Sequence, residues 1–454
     1  MRILFVHMNF PAQFRSLASF LGRDSRNEVV FATMNENPGW DIPGVRKAVF
    51  DPDATVFPEG HGINAKFWAA SSKASGALKL AVELRRQGFV PDIICGHSGW
   101  GPTMYLRDVF PEAAFVGYFE WFYDAQSADM RFSGSPLSLS SRMEVRCNNI
   151  PILMDLASCA HGICPTRWQL EQFPAEFRSK ISVIHDGVDT DYFSPDPEAR
   201  MVLPDLDLSG ATEIVTYATR GMEPYRGFPQ FLEAAVDVVK KRPGCHVVIG
   251  GNDGCHYGSP PEPGKTWKEV LTERLQPDPE HIHFVGPLPY RHYRTLLRAS
   301  TAHVYLTRPF VLSWSFLEAL SCGCLVVASD TEPVREMASD GHNALFTDIR
   351  SPAAITERIL EALENRSQLD GVRKQARQTV LERYDVRKLL PQQLEPESVN
   401  KCCQRCWLEI STIFFENSGD FRPENFQLKD NCRFASSENR LFAVFRRTTP
   451  RNAA

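Results

Sequence analysis

Long apolar runs and a surplus of basic charge are both missing from this 454-residue chain, and its first strand is not followed by the glycine fingerprint of dinucleotide sites. No window approaches the ~20 consecutive apolar residues that a membrane-crossing helix needs. The opening residues MRILFVHM alternate like a short strand and meet Pro11, where an export signal would continue into a long apolar region, so secretion is not expected. Lys and Arg number 50 against 55 Asp and Glu, a net charge of −5. Nothing global therefore points to nucleic acid as a partner, which a basic excess would signal. The absence of G-x-G-x-x-G after MRILFVH weakens a reading as a nicotinamide-dependent dehydrogenase. Twelve cysteines are scattered along the chain, and Cys95, Cys159, Cys164, Cys245, Cys322 and Cys324 fall inside apolar patterns. They read as reduced, buried thiols of a cytosolic protein.

What is present is an ordinary globular composition, 43% hydrophobic and 23% charged, in a chain long enough for two full cores. The first half repeats one phrase, a short β-branched or aromatic run followed by an amphipathic helical segment. RILFVHM (2–8), EVVFAT (28–33), VRKAVF (45–50), DIICG (92–96), AAFVGYF (113–119), HGICP (161–165) and KISVIHDG (180–187) are the runs, with helices expected over 11–21 and 63–87. Thr166 with Gln169 three residues on makes a capping box. Ser194, Pro195, Pro197 and Pro204 then interrupt all periodicity. A second series follows with EIVTYAT (213–219), HVVIGG (246–251), IHFVG (282–286), AHVYLT (302–307), CLVVAS (324–329) and NALFT (343–347). Strands alternating with helices at this spacing predict parallel, doubly wound sheets. The expected division is a first Rossmann-like domain over 1–190, a hinge over 191–210, a second such domain over 211–390 and a tail over 391–454. A ligand should then sit in the cleft between the carboxyl ends of the two sheets. In the tail, Cys403 and Cys406 have the gap of a zinc knuckle and Cys402 and Cys432 could complete four ligands. With no histidine and no second pair, a weakly ordered appendage is the better reading, and no metal site is assigned.

Several residues stand out chemically. Glu318 lies within the apolar helical run SFLEALS, where a charge costs several kcal/mol unless it is paired or reaches solvent. Arg220 and Arg226 bracket the loop TRGMEPYRG that opens a helix, with Gly221 and Gly227 letting the backbone come close to a ligand. Two guanidiniums there form a diphosphate clamp, or else a solvated loop. Gly250 and Gly251 leave the next strand in GGNDG, which by itself is common turn chemistry. His97 ends the strand DIICGH in a glycine-flanked loop, placed either to donate to a sugar hydroxyl or to serve the loop's own structure. GYFEWFYD (117–124) suits stacking on a sugar ring or packing in a core, and its Glu120, Trp121 and Asp124 are the acceptor-side choices.

Together, the GHSG loop, the HDGVD turn, the R…RG loop, FVGPLP and LEALSCGCLVVAS resemble the family 4 glycosyltransferases of GT-B fold, over roughly residues 1–390. The resemblance implies that Arg220 and Arg226 hold a nucleotide diphosphate, with Arg where the family usually has Lys at the second position. Glu318 would accept hydrogen bonds from the donor ribose, Pro287 and Leu288 would lie against the base, and peptide N–H groups near Leu312, Ser313 and Trp314 would face the donor. His97 would orient the donor sugar. The family's motif is two glutamates separated by seven residues, of which Glu318 matches the second, and the position of the first is Phe310 here. The implied reaction is retaining sugar transfer from a nucleotide-diphosphate sugar to a glycan or lipid-linked acceptor in surface polysaccharide or glycolipid synthesis. It needs no metal and no cofactor beyond the co-substrate, in keeping with the expected lack of an Asp-x-Asp beside the cleft. A lipid-linked acceptor would bring this cytoplasmic protein to the inner face of the membrane. Alternatives are a nucleotide-sugar 2-epimerase of the same fold, or a catalytically impaired protein that binds a glycan or partner.

Overall fold

A computed structural model describes residues 1–56, 62–132, 134 and 136–394. The tail cysteines Cys402, Cys403, Cys406 and Cys432, with the appendage expected there, lie outside the described residues.

Seven strands build the first sheet: β1 (Arg2–Val6), β2 (Glu28–Thr33), β3 (Val45–Val49), β4 (Ile93–His97), β5 (Ala114–Tyr118), β6 (His161–Cys164) and β7 (Ile181–Val183). All pair in parallel in the order β3-β2-β1-β4-β5-β6-β7. A sheet covered by helices on both faces needs apolar side chains on both, which is why β1 and β4 read as continuous apolar runs. In β1 the two faces separate with period two. Leu4 and Val6 join one core with Ile94 and Phe115, while Ile3 and Phe5 join the other with Phe31 and Val116.

A small antiparallel pair, β8 (Val202–Leu203) with β9 (Leu206–Asp207), precedes the second sheet. That sheet comprises β10 (Glu213–Gly221), β11 (Cys245–Asn252), β12 (Ile282–Gly286), β13 (Ala302–Tyr305), β14 (Val326–Ser329) and β15 (Leu345–Thr347). Its strands are again parallel, in the order β12-β11-β10-β13-β14-β15. Strand order reverses between β1 and β4 and between β10 and β13, and at such a reversal the loops diverge and open a crevice at the carboxyl ends. The expected fold, two doubly wound α/β units facing across a cleft, is therefore the observed one.

The division between the units differs from the sequence expectation in two places. Residues 191–210 were expected to be a linker, yet Phe193 is only 1% exposed and packs with Met201 and Leu203 in the core of the second unit. The prolines break helical and strand periodicity there, but the aromatic and aliphatic residues between them still bury. The helix Val386–Leu394 crosses back, so that Leu390 and Leu394 complete the core around Ile3, Phe5 and Phe10 of the first unit. The two chain crossings touch: Val188 N donates to Tyr384 O at 2.8 Å and Val386 N to Val188 O at 3.0 Å. The pivot is thus a paired stretch of backbone.

The capping box is only half made. Thr166 accepts from Gln169 N at 3.0 Å, but the Gln169 amide, in place of reaching the Thr166 backbone N–H, accepts from the Thr166 hydroxyl at 3.0 Å and donates to Glu120 O at 2.8 Å.

Phe193→Ala should destabilise the protein by about 3–5 kcal/mol, the usual result of emptying a buried aromatic site. Chemical denaturation reads this, and a change below ~0.5 kcal/mol would return residues 191–210 to the status of a free linker.

Candidate active site

The cleft between the units has a volume of about 410 Å³ and is lined from both sheets, a size suited to a small organic ligand. On its second-unit wall, the helix Trp314–Ser321 starts from Ser313, whose hydroxyl accepts from Ser315 N. One turn in, Glu318 sits among the buried Phe316, Leu317, Ala319 and Leu320 and is 7% exposed, so it does not escape to solvent. Burial pushes its carboxyl up to about 7, against the pull of Arg15 from the first unit and of Tyr293. The carboxylate nevertheless borders the cleft. A group that can accept from hydroxyls of a ligand is thereby kept poorly solvated.

Arg220 and Arg226 both line the cleft. Arg220, at the end of β10, is exposed and donates no hydrogen bond among the described residues. Arg226 is held in place, with Nη1 donating to Thr307 Oγ1 at 2.8 Å and to Val311 O at 3.1 Å, and its guanidinium over the Tyr257 ring at 5.5 Å. Gly250, Gly251, Pro287, Leu288, Leu312, Ser313 and Trp314 also line the cleft. Gly221 and Gly227 do not. A Cβ on Gly221 would come 2.4 Å from Gly254 O, and Gly227, with φ of +66°, caps the helix Phe228–Lys241 where a Cβ would meet Leu306. These two glycines serve packing rather than ligand approach.

On the first-unit wall, His97 closes β4 and is 4% exposed. Neither ring nitrogen makes a well-formed hydrogen bond, although Nε2 lies 3.4 Å from Glu120 Oε2. The ring stacks on Tyr118 at 5.4 Å and meets His7 edge-on at 4.7 Å. Glu120 accepts from Gln13 Nε2 at 2.6 Å. Burial works to raise its pKa, but His97, Gln13 and the charge of Arg220 together hold it below the ordinary carboxyl value, so it is the ionised acid of this wall. Of the other acceptor-side choices, Trp121 is buried against Phe310 and Trp168 and does not line the cleft. Asp124 is exposed and closes a turn by accepting from Gln126 N at 2.7 Å.

Phe310, where the resembling motif has a glutamate, is 5% exposed. Its ring lies 4.7 Å from Trp121 of the first unit, 5.4 Å from Tyr225 and 5.1 Å from Tyr257. The position is filled by an aromatic cluster spanning both units.

Several cleft residues escaped the sequence reading, Gln13, Arg15 and Tyr257 among them, and two stand out chemically. His7 follows β1 at the strand-order reversal, a place where topology alone could have flagged it. Burial first, then His97, holds its pKa well below the usual histidine value, so it is neutral, and Asn9 N donates to its Nδ1 at 2.8 Å. Asp186 in the HDGVD turn accepts from Tyr118 Oη at 2.8 Å and from Trp314 Nε1, across the cleft, at 2.6 Å. The expected lack of an Asp-x-Asp beside the cleft also needs correction. Asp189, Thr190 and Asp191 have that spacing and Asp189 lines the cleft. Locally they form a turn: Asp189 Oδ1 accepts from Asp191 N and Tyr192 N, and the Asp191 carboxylate pairs with Arg387 at 3.0 Å.

Comparison with known proteins places these features in context. The model of the Glycosyl transferase family 4 group matches residues 25–193, and that of Glycosyl transferases group 1 matches residues 207–379. An uncharacterized glycosyltransferase of Methanocaldococcus jannaschii is 31% identical over 85 residues, 18% of this chain and 22% of the relative. The D-inositol 3-phosphate glycosyltransferase of Frankia alni is 26% identical over 180 residues, 38% of this chain and 42% of the relative. The chain thus spans less than half the length of these curated relatives. Among solved structures, HepE of Anabaena in complex with UDP has a TM-score of 0.61 at 16% identity, the match covering 88% of this chain and 100% of that one. At that identity the likeness shows the fold.

The elevated Glu318 pKa sets a direction for stability. The native state holds this proton longer than the unfolded chain, so the contribution is fully present below pH 4.5 and is lost as pH rises to about 7. Glu318→Gln should therefore raise the melting temperature at pH 8, by an amount corresponding to at most about 3 kcal/mol, and leave it unchanged near pH 4. Thermal melts across this range check it, and a lower melting temperature at pH 8 would mean that the buried carboxylate is stabilising.

Proposed function

Because the chain belongs to the GT-B glycosyltransferases of the group 1 and family 4 type, we propose that it moves a sugar from a nucleotide-diphosphate donor to a glycan or lipid-linked acceptor with retention of configuration. The observation that carries this reading is the convergence of Arg220, Arg226 and Glu318 on one cleft, opposite His97 and Glu120 of the other unit. HepE, the relative in fold, was solved with UDP, with UDP and glucose and with UDP-glucose, which supports a nucleotide sugar as the donor here.

In this mechanism the donor diphosphate lies against Arg220 and Arg226, whose charges stabilise the negative charge that builds on the leaving group. Such preorganised stabilisation is commonly worth several kcal/mol of barrier. Arg226, already tied to Thr307 and Val311, would need little reorganisation. Ionised Glu318 accepts from the ribose hydroxyls, and Pro287 and Leu288 pack against the base. The acceptor hydroxyl attacks on the face the diphosphate leaves, forming the new C–O bond as the old one breaks, and a phosphate oxygen takes its proton. His97, with two buried nitrogens free of hydrogen bonds, holds a donor-sugar hydroxyl. The reaction as proposed uses no metal and no further cofactor. Closure of the units excludes water, so that hydrolysis does not compete. Surface polysaccharide or glycolipid synthesis is the proposed setting, and a lipid-linked acceptor would place the protein at a membrane surface. No helix among the described residues is long and apolar enough to cross one.

A second reading, a glycan-binding protein with impaired catalysis, is favoured by Phe310, because an aromatic ring cannot hold the donor sugar as a carboxylate does. The two readings part on turnover of any sugar nucleotide.

Arg220→Ala should weaken UDP binding by more than about tenfold, the loss of a charge-assisted contact to phosphate. Calorimetry with UDP, GDP and ADP measures it, after a thermal-shift screen has shown which one stabilises the wild-type chain. Equal affinities in wild type and variant would remove the clamp from the mechanism.

A further inference from the structure

Several contacts join the two units. The Glu336 carboxylate accepts from the backbone N–H groups of Arg167 and Trp168, and Trp121 meets Phe310 outside the cleft. One contact across the cleft is polar, joins two cleft-lining residues and lies next to the pivot. Asp186 is 9% exposed, and each of its carboxylate oxygens takes one hydrogen bond. Oδ1 accepts from Tyr118 Oη of the same unit at 2.8 Å, and Oδ2 accepts from Trp314 Nε1 of the other unit at 2.6 Å. Hydrogen bonds to a carboxylate are shorter and stronger than neutral ones, and more so where water is excluded.

The partners of Asp186 lead to both halves of the site. Tyr118 is the ring on which His97 stacks. Trp314 is the first residue of the helix that carries Glu318, and residues four apart lie on one face of a helix. A shift of the Trp314 indole therefore moves the start of that helix and Glu318 with it. Two residues along the chain from Asp186, Val188 pairs with Tyr384 and Val386 at the crossing point of the units. A bond this near a pivot has a short lever arm, so a small change in it becomes a large opening at the far lip of the cleft.

We propose that Asp186 is a positioning residue: by gripping Trp314 and Tyr118 together it sets the Glu318 helix against His97 and holds the two units closed. Its partner Trp314 belongs to a motif associated with the donor, but this role lies in the hydrogen bond across the cleft rather than in contact with a donor. The inference rests on the proposed function only for its ligand arm, since closure is a property of the free chain as well.

The test uses the full chain with Asp186→Leu, which removes both acceptors, and Trp314→Phe, which keeps the aromatic bulk and removes the N–H. Small-angle scattering of the free proteins should show a larger radius of gyration for both variants than for wild type. The double variant should be no more open than the wider single variant, because both changes delete the same bond across the cleft. With UDP, GDP or ADP as the probe, the wild-type chain should compact further and the variants less so. Affinity for the nucleotide should fall by less than about tenfold, reflecting only the smaller closed fraction. A merely structural role would lower the melting temperature while leaving scattering unchanged. Wild-type scattering curves from both single variants would overturn the proposal. Failure of all three nucleotides to bind the wild-type chain would sink the donor reading instead, and the comparison of free proteins would still decide the role of Asp186.

Discussion

A carboxylate that is almost wholly removed from water is the constraint on which the cleft depends. Glu318 sits in the most apolar helix of the second unit, with its pKa pushed up to about 7 by burial, and the groups that moderate this come from both sides: Tyr293 from its own unit and Arg15 from the other. An isolated charge so placed would be expensive. The proposed ribose contact fits this arrangement, because hydroxyls of a ligand would offer hydrogen bonds to a carboxylate that is poorly solvated.

The opposite wall obeys the same logic with the sign reversed. Glu120 is half-buried, and His97, Gln13 and Arg220 hold its pKa below the ordinary carboxyl value. His7, one ring away from His97, is kept neutral by burial. The two carboxyls of the cleft are thus pushed in opposite directions, Glu318 up and Glu120 down, a difference set by environment rather than by residue type. Arg220, counted among the donor ligands, also acts across the cleft on Glu120, so the charge balance of each wall depends on the other being present.

Phe310 marks where this chain departs from the motif it resembles. Instead of a second carboxylate, a four-ring cluster of Phe310, Trp121, Tyr225 and Tyr257 joins the units, and Tyr257 in turn lies against the Arg226 guanidinium. The substitution exchanges a polar contact to a ligand for apolar contact within the protein. Trp121 belongs to that exchange, which is why an aromatic that suggested a sugar platform turns out to be a strut between domains.

Local chemistry made much of this legible from the residues alone. Strand runs such as RILFV and CHVVIG declare parallel sheets because side chains buried on both faces must be apolar throughout, and the alternation with helical periods implies crossovers and hence a cleft at the carboxyl ends. Glu318, Arg220, Arg226 and His97 could be singled out because charge or imidazole beside glycine or within an apolar run is locally conspicuous. Other features had no local signature. Phe193 reads as linker until the second core closes over it, the final helix reads as part of the second unit until Leu390 reaches the first, and Asp186 is an ordinary turn residue until Trp314 arrives from 128 positions away. Periodicity and composition are properties of neighbours in sequence, so they determined the sheets and the outward-facing chemistry. Which unit a segment joins, and which carboxylate spans the cleft, are properties of neighbours in space, and only the packing of the two units could decide them.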